Sequence, residues 1–342
     1  VSAETSVGPS AIGGFERGLG GIAAALRSIV RRCRSERADP RPAARAIVLL
    51  AFVPAFGLWM ALRWTLMLLR QHVRVQAITD EGHLIACPLP DMIPMYLYLF
   101  GVWEPDVTAY ISRALRPGDT IIDVGANHGA FALLAAGIVG ASGRVVGVEA
   151  LPSMAASLRG NIAENRRRRG LALAPIDVIV AAASDRTGEL TIYEGPFENL
   201  GRTTTLAERG ERAAATVPCA PLADLVDADA LRAARLIKID VEGAEPAVLA
   251  GLAPALDALR DDVEIMVELS PHWWPDGAPD PSMVLAPYLA AGFRVYELPN
   301  DYWPWRYAFP KRVAAPTPLR EPLGTLKRRV DLVLSRRDLP AL

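Results

Sequence analysis

Cysteine and lysine are both scarce, with three of each among 342 residues. Cys33, Cys87 and Cys219 stand far apart and form no CxxC pair, so neither a disulfide framework nor a zinc site follows from them. An excess of positive charge is also missing. The 37 basic residues meet 38 acidic ones, which argues against a nucleic-acid partner. No internal repeat is visible, and a 51% hydrophobic content excludes a mostly disordered chain. Arginine outnumbers lysine 34 to 3, which reads as a coding bias rather than a function.

What charge there is lies unevenly. Residues 1–80 carry 11 arginines against 5 acids, whereas residues 81–342 carry 26 basic against 33 acidic residues. The division expected is a basic N-terminal region, 1–72, partly disordered, and a mildly acidic body, 73–342. Within the first region an arginine-rich run, Arg27–Arg37, precedes the uncharged stretch Ala46–Leu62, and apolar character continues to Leu69. Seventeen uncharged residues fall at the short limit for a bilayer span, which takes roughly 20. A secretory signal does not fit, because about 45 residues precede the stretch.

Three placements of the apolar segment stay open: a helix buried against the body, an interfacial helix with 27–69 touching an anionic inner-membrane surface, and a span. Pro54, Gly57 and Arg63 interrupt a straight span. A span would also carry the body outward, away from the cytosolic cofactor argued below. The expected location is therefore cytoplasmic, with membrane association left open.

From residue 105 onward, strands and helices alternate. Helices are expected over Asp106–Leu115, His128–Val139, Pro152–Arg167 and Glu245–Ala258. Strands are expected over Thr120–Gly125, Arg144–Glu149, Ile176–Ala183, Arg235–Asp240 and Asp262–Leu269, with an extra one at Gly188–Tyr193. Residues 194–217 are less regular. Phe293–Leu298 and Val330–Ser335 can close the sheet as an antiparallel pair. Such alternation forces a mostly parallel sheet with helices on both faces.

Ligands in such sheets sit beyond the carboxyl ends of the strands. The first strand ends in Asp123-Val-Gly-Ala-Asn-His-Gly129, where Gly125 allows a sharp turn and Gly129 a close helix start. The helix start would offer backbone N–H groups to a carboxylate. Asn127 occupies the place of the second glycine in GxGxxG, and no Gly-Lys-Ser/Thr ending is present. A pyrophosphate guest, and with it a nicotinamide oxidoreductase, is disfavoured. The second strand ends in Glu149, followed by Ala150, and a carboxylate there can accept from both ribose hydroxyls. A glycine turn with a ribose acid and no pyrophosphate loop suits adenosine joined to an amino acid, which is S-adenosylmethionine (SAM).

The fourth strand ends in Lys238-Ile-Asp-Val-Glu-Gly-Ala-Glu245. Asp240 and Glu242 fall just past the sheet's carboxyl edge and are the candidate catalytic acids, while Glu245 suits the start of the next helix through its dipole. Taken together, DVGANHG, VEA, AAASDRTGEL and IKIDVEGAE resemble the FkbM family of SAM-dependent methyltransferases, over roughly residues 75–336 and including the upstream Leu99–Glu104.

The resemblance implies the class I methyltransferase fold: a Rossmann-like α/β arrangement with seven strands, the last antiparallel. Carried onto this chain, it implies that Gly125, Ala126, Asn127 and Gly129 cradle the methionine end of SAM. Asp123 would hold the amino group, directly or through water. Glu149 and Ala150 would meet the ribose, and Ser184 and Asp185 would lie near the adenine, with the backbone of Ala182 and Ala183 equally suited. His128 receives no role. The resemblance also implies O-methyl transfer to a sugar, glycolipid or polyketide-like hydroxyl.

Asp240 is then the first candidate base, ahead of Glu242, Glu268 and His272. No HxxxH or aspartate-rich ligand spacing is present, so no metal is expected. Trp273, Trp274, Trp303 and Trp305 either line the acceptor side or staple proline-rich loops to the core. The alternative function is a non-catalytic, membrane-associated binding or scaffold module on the same fold.

Overall fold

The computed structural model describes residues 42–168, 172–197, 199, 203–207, 212–275, 277–308 and 315–339, together with residues 21, 25, 28 and 29. The arginine-rich run and the disorder expected of the N-terminus fall almost wholly outside the described residues.

Thirteen strands and ten α-helices are traced among the described residues. The central sheet contains β3 (Thr120–Val124), β4 (Arg144–Val148), β5 (Ile176–Ile179), β9 (Ala234–Ile239), β10 (Glu264–Leu269), β11 (Arg294–Leu298), β12 (Thr317–Pro318) and β13 (Val330–Ser335). Their spatial order is β12-β11-β13-β10-β9-β3-β4-β5. The five strands from β10 to β5 are parallel, and β13 inserts antiparallel between β10 and β11. This is the class I methyltransferase sheet that the resemblance implies. The seven expected strands are joined by an eighth, the two-residue β12 at the edge.

Alternate residues of each central strand enter opposite layers, as a two-residue period requires. Ile121, Val145 and Leu236 join one apolar cluster, and Ile122, Val146 and Ile237 join the other. Helices α3 (Pro105–Ala114), α4 (Ala130–Val139) and α5 (Pro152–Arg167) begin and end within two residues of expectation. The helix expected over Glu245–Ala258 divides instead. Its α-helical part, α8 (Glu245–Leu252), gives way to a 3-10 turn over Ala253–Ala258, where Pro254 has no N–H to continue the α ladder.

The strand expected over Ile176–Ala183 also divides. Its end, β6 (Ala182–Ala183), leaves the main sheet and pairs with β8 (Ala213–Ala220), which pairs in turn with β7 (Gly188–Tyr193). This small sheet takes 213–217 out of the irregular stretch expected over 194–217; among the described residues of 194–212 only an isolated bridge, Thr204 to Tyr193, is formed.

Upstream of the alternating body lie α1 (Pro42–Leu68), the hairpin β1 (Val73–Ile78) and β2 (Leu84–Leu89), and α2 (Met92–Phe100). Phe52, Trp59 and Leu66 recur every seven residues along α1 and are buried in the cluster that also holds α2, α3 and α4. Phe52 lies 5.5 Å from the Trp305 ring, Phe56 lies 6.4 Å from Phe100, and Trp59 lies 5.8 Å from Tyr98. Of the three placements open to this segment, the structure has the helix packed on the body. Among the described residues, no helix is long and apolar enough to cross a membrane.

The hairpin is tied down by side chains rather than by a sheet. Asn165 of α5 accepts from the Leu84 amide at 2.8 Å and donates to the Leu84 carbonyl at 2.6 Å. One turn earlier, Asn161 accepts from the Ala86 amide at 2.9 Å and donates to the His128 carbonyl at 2.9 Å. Replacing Asn165 with alanine strands two backbone groups of β2. Chemical denaturation of Asn165→Ala is expected to show a loss of about 1–3 kcal/mol, whereas an unchanged midpoint would mean that this pairing contributes nothing.

Candidate active site

At the carboxyl edge of the sheet, the chain leaves β3 at Val124 and turns between the ends of β4 and β9. Gly125 takes φ +84°, and a Cβ there would lie 1.8 Å from the Asp240 carbonyl oxygen. A glycine is therefore compulsory, because the turn after β3 and the turn after β9 lie backbone to backbone. The Asp240 amide donates to the Val124 carbonyl at 3.0 Å, and the Gly125 amide donates to Val148 at 2.8 Å. Gly129 has φ +89° and faces Leu158, whose Cδ1 would lie 2.3 Å from an added Cβ.

These turns bound a cavity of about 520 Å³. Gly125, Ala126, Asn127, Glu149, Ala150, Asp240 and Glu242 line it, together with His128 and the backbone neighbours Ala182 and Ala183. Four expected site residues do not. Asp123 is buried behind the wall at 1% exposure, 3.9 Å from the Lys238 ammonium, with no hydrogen-bond partner for either carboxylate oxygen. Gly129 sits one residue below the lining, against α5. Ser184 is buried and its hydroxyl donates to Asp185, which meets Arg186 toward solvent. The pairing of β6 with β8 turns both side chains away and leaves Ala182 and Ala183 on the cavity.

The turn is more self-contained than its glycines suggest. Glu149 accepts from the Asn127 amide at 2.7 Å through one oxygen and from the Leu151 amide at 2.8 Å through the other. His128 donates its amide to the Asn127 side chain at 2.7 Å, and Ala126 and Gly129 donate to Val148 and Ala126. Every amide from 125 to 129 thus has an acceptor within the protein, so an incoming anion would have to look to the first turn of α4. Glu149 keeps its outer lone pairs for a guest. Burial pushes its pKa up, against the two amides that favour the carboxylate.

Beyond Asp240 a second group of charges converges. Lys238 is buried, with its Nζ 3.0 Å from Asp240 and 4.8 Å from the centre of the Phe131 ring. Glu104 and Glu268 are buried on the cavity wall, and Tyr302 donates to Glu268 at 3.2 Å and also hydrogen-bonds Glu104. Arg329 stacks on the Tyr302 ring at 3.7 Å and lies 3.6 Å from Glu268. Burial, reinforced by the charge of Asp240, pushes the pKa of both Glu104 and Glu268 upward. Carboxylate oxygens of Asp240, Glu242 and Glu268 come within 4.8 Å of one another, a grouping able to hold a metal that no sequence spacing announces. Lys238 already sets a cation beside it.

Backbone strain gathers at the same place. Four non-glycine residues among those described have positive φ, and three of them, Glu104 (43°), Asn127 (52°) and Glu242 (50°), line the cavity. Glu104, Lys238, Tyr302 and Arg329 are charged or hydrogen-bonding residues among the several lining residues that sequence reasoning did not name as site residues. A signal existed for Glu104, which ends the Leu99–Glu104 motif and sits just before Pro105.

The four tryptophans separate by role. Trp273 lines the cavity with His272. Trp274 is buried and donates its indole N–H to Glu245 at 2.6 Å, which makes it a staple. Trp303 is exposed, and Trp305 lies against α1.

Residues 123–295 match the family described as the methyltransferase FkbM domain. No curated protein matches the chain. Among solved structures, Aeropyrum pernix fibrillarin with natively bound SAM is similar at 13% identity, over 77% of this chain and 99% of that one, with a TM-score of 0.35. A SAM-dependent O-methyltransferase from Thermotoga maritima is similar at 14% identity, over 80% of this chain and 79% of that one, with a TM-score of 0.34. The family match and the strand order carry the assignment.

Glu245 confirms the helix-start position expected of it, yet it does more. Its carboxyl accepts from the Gly243 amide at 2.6 Å as well as from Trp274, and burial pushes its pKa up to about 7. A folded-state value above the unfolded 4.5 means that the folded chain holds the proton more tightly. That contribution is full below the unfolded pKa and is lost as pH rises through about 7. Urea titrations should show wild type losing on the order of 2–3 kcal/mol more than Glu245→Gln between about pH 5 and pH 8. Parallel curves would show that this proton does not contribute.

Proposed function

The chain belongs to the FkbM family of SAM-dependent methyltransferases, and we propose that it delivers the methyl group to a hydroxyl of a sugar, glycolipid or polyketide-like small molecule. One observation carries this reading. Glu149, the 125–129 turn and Asp240 come from three adjacent strand ends onto a single cavity, opposite an acceptor side of Trp273, Tyr302 and buried carboxylates.

The donor set suits the cosubstrate. Acids at the rim favour a cationic guest, Glu149 can accept from ribose hydroxyls, and the small faces of Ala182 and Ala183 leave room for a flat base. In this reading Gly125, Ala126 and Asn127 border the methionine end, with Gly129 supporting the turn from behind. Asp123 acts on the amino group through a bridging water, because its carboxylate stops short of the cavity. Ala150 borders the ribose. The adenine rests on Ala182 and Ala183 in place of the side chains of Ser184 and Asp185.

Bound SAM supplies a methyl group already activated on a sulfonium, so the protein mainly aligns the acceptor and takes its proton. Asp240 is the proposed proton acceptor, with Glu242 beside it. Lys238, 3.0 Å away, holds the Asp240 carboxylate in place. Burial and the charge of Asp240 push the pKa of Glu268 and Glu104 upward, and both carboxyls face the cavity where the acceptor's other oxygens would lie. Trp273 offers a flat face to a sugar ring.

Calorimetry on Glu149→Ala is expected to show SAM affinity at least about tenfold weaker, roughly 1.4 kcal/mol; unchanged tight binding removes the ribose assignment. Asp240→Asn, which leaves the buried Lys238 with Asp123 alone, is expected to fold with lowered stability and still bind SAM, yet lose about 100-fold or more in methyl transfer. Labelled methyl transferred to a panel of compounds bearing hydroxyl and carboxyl groups should survive mild base, as an ether does. A base-labile product, the mark of a methyl ester, would overturn the proposed hydroxyl acceptor. Tight SAM binding with no transfer to any acceptor would favour the scaffold alternative.

A further inference from the structure

Among the described side chains, helix α1 is apolar on both sides, and one of those sides is covered. Phe52, Trp59 and Leu66 face the body and are 1–3% exposed. At about 100° per residue, Leu50, Val53, Leu58, Trp64 and Leu68 fall on the opposite side, and they are 54–85% exposed. A surface helix of a globular body normally turns polar residues outward, so an apolar outer face calls for an apolar neighbour. Trp303, at 70% exposure, and Trp305, at 46% exposure and 5.5 Å from the Phe52 ring, are further exposed apolar side chains.

The charge around this face identifies the neighbour. Between residues 40 and 79 the chain has five arginines and no acidic residue. Arg70 and Arg74, just past the helix, are exposed, and the run Arg27–Arg37 adds five more arginines against one acid. Apolar side chains, interfacial tryptophans and flanking arginines without acids form the combination that anionic phospholipid surfaces attract. Spanning is excluded by packing, since the Phe52–Trp59–Leu66 line is held by the body and Arg63 donates to the Pro90 carbonyl at 3.2 Å.

We propose that the outer face of α1 seats this protein, lying flat, on a bilayer surface containing anionic phospholipid. The helix packs on α2, whose first residues, Met92 and Ile93, line the cavity, so docking holds the cavity close to the bilayer. The proposal stands independently of the acceptor chemistry above.

The test is sedimentation of the full chain with vesicles of phosphatidylcholine alone or with phosphatidylglycerol. Wild type is expected to sediment with the mixed vesicles and to be released by added salt. Leu58→Glu combined with Trp64→Glu is expected to weaken that binding at least about tenfold, with circular dichroism and SAM calorimetry unchanged. A second variant, Arg70→Gln with Arg74→Gln, is expected to narrow the difference between the two vesicle types without touching the apolar face. Several outcomes overturn the proposal: no sedimentation with either vesicle, equal binding to both, or full binding by the glutamate variant. Dimers that form without lipid and are abolished by the glutamate variant would assign the face to a second copy instead.

Discussion

The closeness of two turns governs this molecule. The chain leaving β3 passes so near the chain leaving β9 that no side chain fits between Gly125 and the Asp240 carbonyl. That approach brings a glycine turn, a carboxylate from β4 and a carboxylate from β9 around one space. If the two strand ends moved apart, each would remain an ordinary strand-to-helix connection. Three strained residues line the same space, consistent with a site whose surroundings over-determine its backbone.

The electrostatics follow from that crowding. Lys238 sits on a central strand where its neighbours are buried aliphatics, and its ammonium is compensated by Asp240 and the nearby Asp123. Removing one partner would leave a buried charge without its counterpart, which costs more than the pair contributes. On the acceptor side, Glu104, Glu268 and Tyr302 come from distant parts of the chain, with Glu104 and Tyr302 separated by 198 positions. Their shared hydrogen bonds give that wall a proton inventory of its own.

Most of the central sheet could be read from the sequence, because β3, β4, β9 and β10 are apolar runs bounded by turn residues. The acids ending β4 and β9 were legible for the same reason, since a strand's last residue projects past the rim. Other features were not. Strand β8, with its run of alanines and a proline, has little period of its own and is defined by pairing with β7. The exit of β6 from the main sheet, which leaves Ser184 buried and both Ser184 and Asp185 off the cavity lining, has no local signal in the sequence. Glu104 and Tyr302 depend on a contact across most of the chain, which no local pattern encodes. The apolar stretch 46–69 was compatible with three placements, and the burial of Trp59 and its heptad neighbours sets one side of the helix on the body.

Asn165 and Asn161 place one last constraint on how such a chain can vary. Each uses its side-chain amide as an imitation peptide group, so a helix offers the hairpin something like a strand's edge. Such a template tolerates little drift in register, because a shift of one residue along β2 would face it with a residue whose N–H and C=O point away. The upstream segment is thus indexed to the methyltransferase layer like a key cut with two notches. Insertions between them would be admitted only in the loops outside that pair.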